Sequence, residues 1–226
     1  MNGKWLYLGQ RNPRLSRQQF VERWLEHRKL GAPPSMRAEF LTATYCAVRP
    51  RELNIEALSD EYDAAGLFSL RHLASIPFVA QFLKQDFIQA DEKRFFATTS
   101  EYFSMFCAEN IIRDGDDTIV VLLQFLRRRD DISPPDFVSR WHESHGQRIC
   151  GESPLSAVVR RYVQNILVAP APPGFGYSGI GELWFDSLDA VSGVAAELSR
   201  MMLDDFIERK TSFCLLTDVI MTKPRS

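Results

Sequence analysis

The stretch Leu15–Trp24, LSRQQFVERW, returns 117 residues later as Ile132–Trp141, ISPPDFVSRW. Six of the ten aligned positions are identical or nearly so, including the serine, the Phe-Val pair and the Arg-Trp pair. Each serine is placed to cap the N-terminus of a helix, with Gln19 or Asp136 at the third helical position. The repeat therefore predicts that the same helix is used twice in one chain.

Four shorter matches follow in the same order, at offsets between 117 and 120 residues. They pair 38–50 with 158–170, 66–70 with 183–187, 86–88 with 205–207, and 100–102 with 217–219. Each half then reads strand, helix, strand, strand, helix, strand, which is the ferredoxin-like βαββαβ unit. We expect an α+β fold of two such units, 1–115 and 116–226, with their antiparallel sheets packed face to face.

The composition excludes several classes of function. The 226 residues are 45% hydrophobic and 25% charged, with 27 Lys and Arg against 29 Asp and Glu. With positive and negative charges so nearly balanced, we expect the protein to bind neither nucleic acid nor an anionic membrane surface. The longest aliphatic run, Ile119–Leu123, is too short to cross a bilayer. No secretory signal opens the chain and the four cysteines are scattered, so we expect a cytoplasmic protein with reduced thiols.

Three segments of the C-terminal half resemble the EthD-domain family. They are Ser133 to Gly146 with its Trp-x-x-x-His, the strand Arg161–Asn165, RYVQN, and Glu182–Ser187, ELWFDS. The resemblance implies the dimeric α/β-barrel superfamily, in which two ferredoxin-like units form one barrel, here within one chain. It also implies a ligand pocket between sheet and helices, and relatives that include cofactor-free cyclases, dehydratases, decarboxylases and isomerases. The N-terminal half places Arg28 where the motif has its histidine, which indicates a degenerate copy.

His145 is the leading candidate for catalysis. It follows Trp141 by four residues, so both side chains share the helix face that turns toward the sheet. Its imidazole is suited to take a proton from an acidic carbon or a phenol. The alternative is a histidine that caps the last carbonyls of the helix, with Gly146 as the stop. His142 adds a second imidazole, but no third ligand stands at a recognisable spacing, so no metal site is predicted.

The strands supply further candidates. Glu182 and Trp184 share one face of a predicted strand. If helices cover that face, Glu182 is suited to act as acid or base and is the predicted partner of His145. If it is the inter-sheet or solvent side, Glu182 is an ordinary exposed strand residue. Tyr162 and Asn165 lie three residues apart, so they point to opposite faces, and either is suited to polarise a substrate carbonyl.

The Pro- and Gly-rich stretch 170–181 carries two aromatic residues. Phe175 and Tyr177 would make a mobile lid over an apolar pocket, unless the stretch is only a connector.

Together with what the resemblance implies, these residues predict a cofactor-independent lyase, cyclase or isomerase for a small apolar cyclic or polyketide-like substrate. His145 would be the general base, Glu182 its partner, and Trp141, Tyr162, Asn165, Trp184, Phe175 and Tyr177 would bind the substrate. Two alternatives stay open: a non-catalytic protein that binds an apolar metabolite, and a cofactor-free monooxygenase. No cofactor is expected, and the chain is a possible homodimer.

Overall fold

The structure is a computed structural model that describes residues 2–27, 30, 38–116 and 118–224. Its strands are β1 (Gly3–Gly9), β2 (Phe40–Val48), β3 (Ala64–Leu70), β4 (Ser104–Arg113), β5 (Val120–Leu126), β6 (Val159–Leu167), β7 (Gly179–Phe185) and β8 (Phe213–Pro224). Its helices are α1 (Arg17–His27), α2 (Ile76–Leu83), α3 (Asp86–Glu92), α4 (Pro134–Cys150), α5 (Pro154–Val158), α6 (Leu188–Gly193) and α7 (Ala195–Met202). Short 3₁₀ turns cover Leu73–Ser75 and Ser100–Phe103.

The eight strands close into one antiparallel barrel in the order β1-β3-β2-β8-β5-β7-β6-β4. The order β4-β1-β3-β2 in the first half recurs as β8-β5-β7-β6 in the second. The prediction was that the two sheets pack face to face. In the structure they are also hydrogen-bonded to each other at both edges, because β2 pairs with β8 and β4 pairs with β6. Closure pairs both edges of each of these eight strands within a single chain.

The first helix of each half begins where the repeat predicts. The backbone N–H of Gln19 donates to Ser16 Oγ at 3.2 Å, and that of Ser16 donates to Gln19 Oε1 at 2.9 Å, which is a complete capping box. Ser133 caps α4 in the same way by accepting from the Asp136 N–H at 3.3 Å, with Pro134 in the first helical position. The repeated sequence therefore encodes a repeated helix start.

The end of α4 differs from the prediction. The helix continues through Gly146 to Cys150 and is stopped by Gly151, so His145 lies inside the helix and does not cap it. A glycine inside a helix weakens it only modestly, and packing of the apolar face overrides that preference. Arg28, the predicted counterpart of the motif histidine, lies outside the described residues.

Alternation along the strands divides the side chains among three cores. The barrel interior holds one side chain in two from each strand, for example Leu6, Leu67 and Leu123. The opposite faces of the sheet pack against α1 through Phe20 and Trp24 in one half, and against α4 in the other. Neighbouring residues on one strand therefore belong to different cores. Within the described ranges, no helix combines the length and the apolar character that a membrane crossing requires.

Candidate functional site

The predicted site residues separate into two groups. Trp141, His145 and Tyr162 lie between α4 and the outer face of the barrel, in the core that also contains Phe137. Asn165, Glu182 and Trp184 face the barrel interior instead. Of the two faces left open for Glu182, the structure has the inter-sheet one, so Glu182 is not the partner of His145. Alternation correctly placed Glu182 with Trp184, and Tyr162 opposite Asn165, but it could not say which face is the inner one.

His145 is fully buried, and both of its ring nitrogens have partners. Nδ1 accepts a hydrogen bond from Trp141 Nε1 at 3.0 Å. Nε2 lies 3.1 Å from the Met201 carbonyl oxygen and 3.3 Å from Asp204 Oδ2, so this nitrogen carries the proton. Burial lowers the pKa of His145, and the bond to Asp204 offsets only part of that effect. The imidazole therefore holds α4 against the segment after α7 and has no free nitrogen for a substrate.

Trp141 fills the space beside His145 where the family resemblance implies a ligand. Its indole lies over Gly179 and Gly181 of β7, and a Cβ placed on Gly179 would come within 2.4 Å of the ring. Tyr162 closes the same layer, with its hydroxyl 3.4 Å from His145 Nδ1. The helix side of the C-terminal half is thus a packed core in which His145 is fully hydrogen-bonded. Gln124 Oε1 and Gln164 Oε1 are buried in the same core without a partner among the described residues.

A second polar group lies inside the barrel, and we call it the barrel cluster: Lys4, Ser69, Glu109, Asn165 and Glu182. Lys4 Nζ lies 2.9 Å from Glu182 Oε1 and 3.1 Å from Glu109 Oε1. Ser69 Oγ donates to Glu109 Oε1 at 2.9 Å. Five strands, β1, β3, β4, β6 and β7, each contribute one of these side chains.

The charges of the barrel cluster stabilise one another against burial. Burial by itself would lower the pKa of Lys4, but Glu182 and Glu109 outweigh it and raise that pKa well above its usual range. Burial opposes ionisation of Glu109 as well, yet Lys4, Ser69 and Arg161 outweigh it and lower the pKa of this carboxyl group. An ammonium group and a carboxylate are therefore kept charged inside an otherwise apolar barrel.

Asn165 carries an unsatisfied acceptor in this cluster. Its Nδ2 donates to the Ile180 carbonyl oxygen at 3.0 Å and to Glu182 Oε1 at 2.7 Å. Its Oδ1 is buried and has no hydrogen-bond partner among the described residues. The sequence had suggested that Asn165 donates a hydrogen bond to a substrate carbonyl. In the structure its amide is oriented to accept a hydrogen bond from a ligand hydroxyl instead. Trp184 Nε1 completes the surroundings of Glu182 by donating to Oε2 at 3.3 Å.

Phe175 and Tyr177 close one end of the barrel. The Phe175 ring lies 5.2 Å from that of Phe103, and the Tyr177 ring lies 5.5 Å from that of Phe125, both in edge-on geometry. The Pro- and Gly-rich stretch therefore covers the barrel end, as a lid would, and it is not near His145.

Sequence reasoning missed Lys4, Ser69 and Glu109. A usable signal exists for Lys4, because it stands in GKWLYLG, where alternation puts it on the same face as Leu6 and Leu8. A lysine on the inner face of a buried strand requires a buried partner. No local pattern identifies Glu109 as that partner, since it lies 105 residues away. Among the described residues, no group of three or more His, Cys, Asp or Glu side chains is arranged to hold a metal ion.

The closed antiparallel barrel with helices on its outer face is the architecture of the dimeric α/β-barrel class. The EthD domain family model matches residues 129–197, a range that contains all three of the segments in which the sequence resembles that family.

Solved structures share the fold over nearly the whole chain. An anthrone oxidase-like protein has a TM-score of 0.57 at 8% identity, covering 100% of this chain and 93% of its own. A protein from Lactobacillus acidophilus NCFM, provisionally named a monooxygenase, has a TM-score of 0.52 at 7% identity, covering 100% and 96%. A chlorite dismutase variant from Candidatus Nitrospira defluvii has a TM-score of 0.56 at 10% identity, covering 97% and 91%. No curated protein matches the sequence.

These neighbours contradict the predicted lyase, cyclase or isomerase activity. They carry the names of an oxidase-like protein, a monooxygenase and a chlorite dismutase. The two residues on which that prediction depended, His145 and Glu182, also lie in different cores. At 7 to 10% identity the likeness establishes the fold and leaves the reaction to be argued from the site.

Proposed function

We propose that this protein is a cofactor-free monooxygenase that oxidises a small apolar cyclic compound bearing a phenol or an enolisable ketone. The observation that carries the proposal is the barrel cluster, in which Lys4 is held between Glu109 and Glu182 inside an apolar barrel. Burial of such ions costs several kcal/mol each. Enclosed acid–base groups with perturbed pKa values are typical of catalytic sites. The oxidase and monooxygenase names of the fold neighbours support the reaction class.

The reaction needs a base and a stabilised site for negative charge. Both Glu182 oxygens accept hydrogen bonds, but Oε2 has only the two longer ones, from Lys4 and Trp184 at 3.3 Å, and a carboxylate oxygen has a second lone pair. Oε2 would exchange one of these bonds for a proton from an activated CH₂ group of the substrate, and the carbanion would pass one electron to O₂. Combination of the two radicals forms a C–O bond, and the hydroperoxide takes the proton back from Glu182. Loss of water then leaves a carbonyl, so CH₂ and O₂ become C=O and H₂O without an external reductant. Lys4, still paired with Glu109, would stabilise the anionic oxygen species.

Two further side chains would orient the substrate. The unpartnered Oδ1 of Asn165 would accept a hydrogen bond from a substrate hydroxyl, which favours a phenol over a simple ketone. Trp184, whose indole is fixed by Glu182, would offer an aromatic face next to the base. In this proposal His145, Trp141 and Tyr162 support the structure and do not touch the substrate.

The test is oxygen uptake with a panel of phenols and enolisable cyclic ketones, anthrone among them. We expect one O₂ consumed per ketone formed, and a loss of about 100-fold or more in Glu182→Gln, the size of a general-base contribution. Glu56→Gln changes an exposed carboxylate and should keep the wild-type rate. Equal rates in the wild type and Glu182→Gln would refute the assignment. Tight binding of a panel compound without any product would favour the non-catalytic binding protein.

The organisation of the chain is also a proposal. We infer that units 1–115 and 116–226 arose by duplication, supported by the repeated helix start and by the repeated strand order. Further assembly into a homodimer stays a prediction that the molar mass in solution tests. The cytoplasmic location and the absence of a cofactor stay predictions as well.

A further inference from the structure

Six aromatic rings close the barrel at the end where β5 finishes and β7 and β8 begin. We call them the barrel-end rings: Tyr62, Phe103, Phe125, Phe175, Tyr177 and Phe213. Phe125 and Phe213 stack at 4.7 Å with an interplanar angle of 9°, and Tyr62 stacks on Phe213 at 5.8 Å. These rings belong to the same interior core as Trp184, so the aromatic end is continuous with the barrel interior.

Phe175 and Tyr177 come from the irregular segment before β7, and of the two only Phe175 is buried. It is 7% exposed, with Phe103 at 5.2 Å, Tyr177 at 6.1 Å and Tyr62 at 6.4 Å. The contacts with Phe103 and Tyr177 are edge-on and the contact with Tyr62 is tilted. Aromatic pairs at such distances are those that an aromatic ligand makes in an aromatic pocket. We propose that this end of the barrel is a binding site for a planar aromatic ligand, and that Phe175 occupies it in the ligand-free protein.

The segment 170–178 is held around Phe175 by local turns and by Arg127. Its backbone bonds include two local turns, from Phe175 N–H to the Pro172 carbonyl oxygen at 2.9 Å and from Tyr177 N–H to that of Phe175 at 2.7 Å. Gly174 has a φ of +87°, a conformation that glycine adopts without strain. Arg127 fastens the segment from outside, since it donates to the Gly174 carbonyl oxygen and lies 5.0 Å above the Tyr177 ring.

There is room beside the segment for it to move. A groove of about 340 Å³ lies against its outer side and is lined by Arg127, Arg128, Asp130, Gly176, Ser178, Glu208 and Thr211. Ser178 anchors the far end of the segment, because its N–H donates to the Leu126 carbonyl oxygen at 2.7 Å. A swing of Phe175 outward therefore needs loss of the Arg127 contacts and leaves β7 in place.

The strand register places the barrel-end rings next to the barrel cluster, because Phe125 and Asn165 both pair with Ile180 of β7. Asn165 pairs in register with Ile180 on β7, and Glu182 lies two residues further along, about 7 Å away at the rise of a strand. A ring that replaced Phe175 would meet the free Oδ1 of Asn165 first and the Glu182 carboxylate next. The ligand class that fits is a planar aromatic compound with a hydroxyl group on its inner edge. This inference rests on the proposed function only in taking that ligand to be the substrate.

The experiment compares 1-naphthol with naphthalene, followed by fluorescence titration under nitrogen. Because a self-occupied site lowers apparent affinity by the fraction of open protein, Phe175→Ala should bind 1-naphthol at least about tenfold more tightly. Arg127→Ala should bind it severalfold more tightly, since the segment loses its fastening. Phe78→Ala removes an exposed ring of α2 and should match the wild type.

A preference for the hydroxyl compound distinguishes a binding site with a specific polar contact from an apolar cavity created by the substitution. Phe175→Ala should prefer 1-naphthol over naphthalene about tenfold, and adding Asn165→Leu should abolish that preference while naphthalene binding persists. The inference is overturned if Phe175→Ala, or Arg127→Ala where Phe175→Ala does not unfold cooperatively, binds no better than Phe78→Ala. Tighter binding in these variants without oxygen uptake by any protein would refute the proposed function and support this site.

Discussion

Removal of the Lys4 charge is expected to destabilise the protein more than most single substitutions. In Lys4→Met the volume of the side chain is largely kept, but Glu109 and Glu182 lose the ammonium group at 3.1 and 2.9 Å. Breaking a buried ion pair from one side costs about 3–5 kcal/mol, because a buried charge is left uncompensated. For a chain of this size, 1 kcal/mol corresponds to about 2–4 °C, so the unfolding midpoint should fall by roughly 6–20 °C.

The pH dependence makes this prediction specific. Glu109 has a lowered pKa, so its stabilisation is present above the unfolded pKa and is lost as the pH falls through the folded one. Lys4 has a raised pKa, so its contribution holds below the ordinary value of 10.5 and is lost only at higher pH. The contribution of this cluster to the stability of the wild type should therefore change little between pH 6 and 9. In Lys4→Met the Glu109 carboxyl group loses the ammonium group that lowers its pKa and will bind a proton more readily, so the deficit should shrink from pH 8 to pH 5.

Urea unfolding of Lys4→Met, monitored by circular dichroism at both pH values, measures the deficit. Lys84→Met removes an exposed lysine and should stay within about 0.5 kcal/mol of the wild type. Adding Glu182→Gln to Lys4→Met should recover part of the loss, because one uncompensated charge is removed. The reasoning is refuted if Lys4→Met is as stable as Lys84→Met at pH 8, or if its deficit grows on acidification.

Two predictions concern the helix side of the barrel. Because burial holds the pKa of His145 below its ordinary 6.5, the unfolded chain takes up a proton there as the pH falls, and the native state loses stability. His145→Gln should therefore flatten the fall in thermal midpoint between pH 7 and 5, while His142→Gln, at an exposed position, keeps the wild-type slope. Equal slopes for the two variants would contradict the assignment. Gly179→Ala should lower the free energy of unfolding in urea by at least about 2 kcal/mol, since its Cβ would meet the Trp141 ring at 2.4 Å. Gly193→Ala places its Cβ in open space and should be neutral or slightly stabilising. Similar unfolding midpoints for the two variants would show that Trp141 can move aside.

Local pattern predicted much of the architecture. Ser16 and Ser133 mark helix starts because each serine oxygen accepts a hydrogen bond from the backbone N–H three residues later, which has no partner within the helix. Helix length was less predictable, since Gly146 is a stop only when the residues beyond it have nothing to pack against. In α4, Ile149 lies in the buried core, and the helix continues to reach it.

The candidate site was harder to predict because its members come from distant parts of the chain. Lys4 and Glu182 are 178 residues apart, and no spacing rule connects them. His145, by contrast, stands in a recognisable motif, yet its partners turn out to be Trp141, Met201 and Asp204. A motif identifies a residue type in a helix; whether its nitrogens are free depends on what packs around them.

The sequence by itself determined the local structure of this protein: two copies of one helix start, eight strands with alternating side chains, and the pairing of Glu182 with Trp184 on one face. These features depend on interactions between residues a few positions apart. Only the tertiary structure decided that this face is the barrel interior, that Lys4 and Glu109 lie there too, and that Trp141 fills the space beside His145. The physical reason is that alternation defines two faces of a strand, whereas closure of the barrel decides which of them is enclosed.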